Sequence, residues 1–161
     1  VDHARAVMKL QNLIGAEDVF LQLEASELRT ALTAVADRVA PRIGVSSESV
    51  VNALVERERH GSTSVGGGFA IPHCKLAGLK EISVSLARFS SSVDFGTTDG
   101  ATVEFVFVVL SPPDQPAAHL QVLSQIARVL KRGKLREKLL SATDPDSTLR
   151  AIQEAAEAEG L

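Results

Sequence analysis

The chain has 161 residues, 45% hydrophobic and 23% charged, with a formal net charge of -3, the make-up of one ordinary globular domain with room for a real core. The slight acidity argues against a nucleic-acid partner. The longest strongly apolar run, Phe105–Leu110, is far too short for membrane insertion, and a lone cysteine, Cys74, excludes an internal disulfide framework.

Val1–Val7 carries Asp2, His3 and Arg5 and no apolar signal core, so a cytoplasmic location is expected. Met8 is the only methionine. A single domain over 8–158 is therefore expected, with 1–7 set apart as upstream residues or a non-native remnant. Val19–Leu23 alternates and reads as a short strand. Ser26 is placed to cap a helix from Glu27 to about Val39, with Leu28, Leu32, Val35 and Val39 on one face and Pro41 ending it. Ser46 or Ser47 caps a second helix with a stripe of Val50, Val51, Leu54 and Val55, which runs out into Glu56-Arg57-Glu58-Arg59.

His60–Gly68 reads as a loop or a pair of bulged short strands, and Phe69–Ile71 as a strand stopped by Pro72. Ile82–Phe89 alternates as a strand with one wet face, whereas Val103–Leu110 is almost wholly apolar and predicts a central strand buried on both faces. A helix from Gln115 or Pro116 follows, with Leu120, Leu123, Ala127 and Leu130 as its stripe, joined by Val122, Ile126 and Val129. A short helix near Leu135–Leu140 comes next. Asp144 then caps the last one, with Pro145 at its first position, where a missing N–H costs nothing. Strands and helices interspersed in this way predict an α/β fold: one mixed β-sheet flanked by α-helices.

Two histidines have contexts suited to chemistry. His73 follows Ile71-Pro72, a stiffened backbone at a strand end that would present a ring nitrogen to a partner. His119 lies in the opening turns of a helix, where partial positive charge and free N–H groups suit an anion. His3 and His60 have no such context. Gly66-Gly67-Gly68 lacks the Gly-Lys-Ser/Thr of a nucleotide loop and reads first as a turn or bulge. Adjacent His73 and Cys74 lack metal-ligand spacing, so no metal site is expected. A cysteine hydrolase built from Cys74, His119 and Asp99 or Asp114 is possible on inventory alone, but no nucleophile signature surrounds Cys74.

Taken together, Glu56-Arg-Glu-Arg-His-Gly-Ser-Thr-Ser-Val-Gly-Gly-Gly-Phe-Ala-Ile-Pro-His73 resembles the signature of the type 2 enzyme IIA family of the phosphotransferase system, the fructose, mannitol and nitrogen-regulatory branch. Pro112 through His119-Leu-Gln-Val-Leu123 is similar to that family's second block, and Val19–Leu32 to its opening. The resemblance spans about Lys9–Glu154. It implies a protein phosphotransferase in which His73 accepts phosphate from the phosphohistidine of an HPr-like carrier. The group then passes to a IIB domain, or its presence regulates partner proteins. His119 and Arg57 would support the phosphoryl group, with a Ser62 or Thr63 hydroxyl assisting, and no cofactor is needed. A regulatory binding module without onward transfer is the alternative, and the stand-alone domain favours the nitrogen-regulatory type. The sequence departs from the family pattern at Ser64, at Gly67 and at Cys74, where glycine is usual.

Overall fold

The computed structural model describes residues 8–161, so the reading of 1–7 lies outside the described residues. Thirteen segments of regular structure follow one another. A short helix α1 (Leu10–Leu13) and a 3-10 turn (Ala16–Asp18) lead into strand β1 (Val19–Leu23). Helices α2 (Leu28–Ile43) and α3 (Ser47–Arg59) come next, then short strands β2 (Ser64–Gly66), β3 (Phe69–Ala70) and β4 (His73–Lys75). Long strands β5 (Ser83–Asp94) and β6 (Thr102–Ser111) precede α4 (Pro116–Leu130), α5 (Leu135–Ser141) and α6 (Pro145–Ala158).

The six strands form one mixed sheet in the order β1-β5-β6-β3-β2, with β4 also pairing to β6. The central β6 is antiparallel to β5 and parallel to β3 and β4. Its side chains alternate between two cores. Phe105, Phe107 and Val109 pack with Val122, Ile126 and Ile152 from α4 and α6. Val106, Val108 and Leu110 pack with Leu32, Val35 and Leu54 from α2 and α3. The expected α/β class and doubly buried strand are therefore present, in three layers.

Several local expectations are corrected. Helix α2 is capped by Glu27 rather than Ser26: the Glu27 carboxylate accepts the N–H groups of Arg29 (3.1 Å) and Thr30 (2.9 Å). The Ser26 carbonyl instead accepts the Asp94 N–H. Pro41 does not end the helix but sits in its last turn, which closes on Gly44 at φ 70°. A proline this close to the C-terminus removes one donor and leaves the other bonds standing. The supposed wet face of β5 is covered, Ser85 being 2% exposed, because α2 and α3 pack over that side of the sheet. In α4 the apolar stripe is rotated: Val122, Ile126 and Val129 are buried with His119 and Gln125, while Leu120 is 66% exposed.

Pro72 interrupts a strand rather than ending it. Phe69 pairs with Phe105 and Ala70 with Val106, and beyond the break His73 pairs with Val109 and Cys74 with Leu110 in the same offset. The Pro72 carbonyl still accepts the Val109 N–H at 3.0 Å. His73 thus opens a second strand segment, and both segments run along β6.

Candidate functional site

The interrupted strand delivers the first histidine. Its Nδ1 lies 2.6 Å from the Ile71 carbonyl oxygen. A carbonyl only accepts, so Nδ1 carries the proton and the Nε2 lone pair is left free. The second histidine arrives by a different route. β6 ends at Ser111, a short Pro-Pro loop follows, and His119 stands in the first turn of α4, its N–H donating to the Gln115 carbonyl. The two imidazole rings face each other with centroids 5.6 Å apart and planes inclined by 54°.

Ser111 is fully buried and its Oγ lies 2.6 Å from His119 Nδ1. No other side-chain partner of that hydroxyl occurs among the described residues, so the O–H donates to Nδ1. His119 then carries its proton on Nε2 and is a donor toward the shared space. Its neighbour gives little hint of this in sequence; the only signal is a serine directly before the Pro-Pro loop.

Both rings are held below the ordinary histidine value. For His73, burial lowers the pKa first; the bond to Ile71 and the Glu58 charge oppose the shift, and the Arg57 charge adds to it. For His119, burial again leads, followed by the charges of His73 and Lys75. The site therefore holds two neutral imidazoles at neutral pH, one offering a lone pair and the other an N–H.

Arg57 comes from the last turn of α3 and donates through Nη1 to the Gly61 carbonyl at 2.9 Å, leaving further guanidinium donors. Thr63 is buried, and its hydroxyl and N–H both donate to the Glu58 carboxylate. Its hydroxyl is thereby occupied. Ser62 is exposed, accepts the Ser64 N–H at 3.1 Å, and borders a groove against Gly96–Asp99. The glycine run is the turn between β2 and β3: Gly66, Gly67 and Gly68 have φ of 88°, 65° and 86°, conformations that other residues adopt at a cost. His60 folds back on the Glu56 carbonyl and stays exposed.

Cys74 points to the opposite face of its strand from His73, into the core with Leu76 and Val108. Burial pushes its thiol up to about 12, the reverse of what a nucleophilic thiolate needs. Asp99 spends its carboxylate on the Ala101 N–H, and Asp114 is exposed. The hydrolase arrangement is not formed. Among the described residues there is also no group of three or more His, Cys, Asp or Glu placed to hold a metal, and no helix long and apolar enough to cross a membrane.

The family model for the phosphoenolpyruvate-dependent sugar phosphotransferase system, EIIA 2, matches residues 12–155. The chain belongs to that family. Among relatives of this EIIA domain, a nitrogen regulatory protein of Bradyrhizobium diazoefficiens is 35% identical over 137 residues, covering 85% of this chain and 90% of that protein. A 2-O-alpha-mannosyl-D-glycerate-specific EIIABC component of Escherichia coli is 30% identical over 95% of this chain, which spans only 24% of that longer protein. The crystal structure of the nitrogen regulatory protein IIA-Ntr of Neisseria meningitidis superposes with a TM-score of 0.83 at 26% identity, covering 89% of this chain and 98% of that one. The EIIA family and its mixed-sheet α/β fold are thus those the sequence resemblance implied.

Proposed function

We propose that this EIIA domain is a phosphoryl carrier of the nitrogen-regulatory type, with His73 Nε2 as the acceptor atom. The observation that carries the reading is the Nδ1–H to Ile71 hydrogen bond, which leaves Nε2 as the only nucleophilic nitrogen of a neutral ring facing His119. In the transfer, the P–N bond of a donor phosphohistidine on an HPr-like carrier breaks as a P–Nε2 bond forms. The donor nitrogen keeps the electron pair of the broken bond. The Nδ1 proton stays on the His73 ring throughout, hydrogen-bonded to the Ile71 carbonyl oxygen. Phosphoryl transfer needs alignment and donors around the equatorial oxygens more than covalent help. The Nε2–H of His119, the free donors of Arg57 and the Ser62 hydroxyl are the groups to supply them.

Incubation with phosphoenolpyruvate, enzyme I and an HPr-like carrier should add one acid-labile, base-stable phosphoryl group, assigned to Nε2 by 31P and 15N NMR. His73→Ala should abolish it; labelling of that variant at the wild-type rate would overturn the assignment. A signalling output without onward transfer is the second reading, and the nitrogen regulatory protein of Bradyrhizobium diazoefficiens, 35% identical to this chain, supports it. Offering the phosphorylated protein a IIB domain separates the two outputs: retention of the label marks the signalling form, and rapid loss to IIB marks the transport form.

A further inference from the structure

Glu58 takes no part in the chemistry above, yet it is the one buried carboxylate among the described residues, at 9% exposure. It lies one helical turn beyond Leu54 on the inward stripe of α3, where an apolar residue would be the simple choice. Burying a carboxylate is costly unless its oxygens are well partnered. No basic side chain forms an ion pair with it among the described residues. Both of its partners come from one residue: Oε2 accepts the Thr63 N–H at 3.1 Å, and Oε1 accepts the Thr63 hydroxyl.

Thr63 carries this anchorage onward. Its carbonyl accepts the Ile71 N–H at 3.0 Å, and the Ile71 carbonyl accepts the His73 Nδ1–H at 2.6 Å. The strand break at Ile71-Pro72 lets that carbonyl turn to the imidazole instead of to a sheet neighbour. Three successive hydrogen-bonded links therefore join the end of α3 to the acceptor ring, through protein atoms alone. Because the links use different peptide groups of Thr63 and Ile71, the connection acts by placing atoms rather than by relaying a proton.

We infer that Glu58 is a positioning residue for the phosphoryl acceptor: by clamping Thr63 it fixes the Ile71 carbonyl and so the tautomer and aim of His73. This rests on His73 being the acceptor. The clamp also has an electrostatic side. The His73 ring gains positive charge as Nε2 bonds to phosphorus, and a carboxylate held nearby favours that charge. Arg57 opposes it, and His119, with Lys75 behind it, is the remaining ionisable neighbour.

The test reads the unphosphorylated ring and the transfer separately. Long-range 1H–15N NMR on histidine-labelled protein reports the His73 tautomer and pKa, and labelling from a phosphorylated HPr-like carrier reports the rate. In Glu58→Ala the His73 ring should become a mixture of tautomers and transfer should slow by about 10- to 100-fold, the range over which losing an outer-shell partner of a metal-bound histidine acts. Thr63→Val keeps the N–H link and should lose less. Glu58→Gln can accept the Thr63 N–H and donate to its Oγ, so it should keep the Nδ1–H tautomer while the His73 pKa falls. A folded Glu58→Ala protein with the wild-type tautomer and a rate within about twofold would overturn the inference; if that variant does not fold, Thr63→Val unchanged in both readouts would do so. Failure of His73 to take the label in the wild type would sink the acceptor assignment alone, since the tautomer measurement needs no phosphate.

Discussion

At the scale of single residues, His119 carries the sharpest expectation. Its Nε2–H faces the His73 ring, where a phosphoryl oxygen would sit, and His119 itself is buried at 6% exposure. Removing such a donor costs about 3–4 kcal/mol in transition-state stabilisation, or on the order of 10²–10³ in rate. His119→Ala should slow phosphoryl movement through His73 by that much, measured by rapid-quench labelling, with an unchanged circular dichroism spectrum. His119→Gln keeps a donor and should lose less. A rate change below about threefold, with only the melting temperature lowered, would mean that His119 merely packs. Cys74 gives the opposite expectation. With its thiol buried and pushed up to about 12, it should resist a disulfide reagent at pH 8 until the protein unfolds, and Cys74→Ser should keep transfer within a few-fold of wild type. Both histidines were legible from local context, because proline and a helix start leave marks in sequence. Glu58 and Ser111 were not: each matters through a partner that only the folded chain brings near.

At the scale of elements, what could be read depended on whether local rules or packing decided the outcome. Strand β6 was legible because an unbroken β-branched and aromatic run admits few other fates. The cap of α3 was legible too: Ser46 Oγ accepts the Ser49 N–H at 3.1 Å. Ser46→Ala should destabilise the fold by about 1 kcal/mol in urea melts with the m-value unchanged, and no measurable loss would show the cap to be redundant. The phase of α4 was not legible. Its sequence is apolar on more than one face, and the sheet buried the Val122, Ile126 and Val129 side rather than the Leu120 side. The turn between β2 and β3 carried its glycines in plain view, but the rejoining of the strand after Pro72 had no local signature, since register is chosen by β6.

At the scale of the whole molecule, the two histidines link stability to pH. Both folded rings have pKa values below the ordinary 6.5, chiefly through burial. As pH falls through 6.5 the unfolded chain therefore takes up protons before the folded one, and stability drops until the folded rings also protonate. The melting temperature should decline between pH 7.5 and pH 5.5, and the decline should be shallower in a His73→Gln/His119→Gln double variant. Equal slopes would show that other groups set the dependence. Asp99 and Asp144, whose carboxylates accept backbone N–H groups and sit below their usual range, act in a lower window and leave this one clear.

The shared register on either side of the Pro72 break also bears on how the site comes into being. His73 is aligned against Val109, and His119 is tied to Ser111 two positions further along the same strand. One short stretch of β6 thus serves as a common ruler for both rings. The Ser111–His119 contact is local, but the pairing of His73 with Val109 is not, so that one pays its loop-closure entropy late in folding. A chain that had formed its helices, or even the β5–β6 hairpin, would still hold the two imidazoles far apart. Acceptor competence should therefore return with the last, slowest refolding phase rather than with helical content, and a partly folded chain would stay silent in any exchange with its partners.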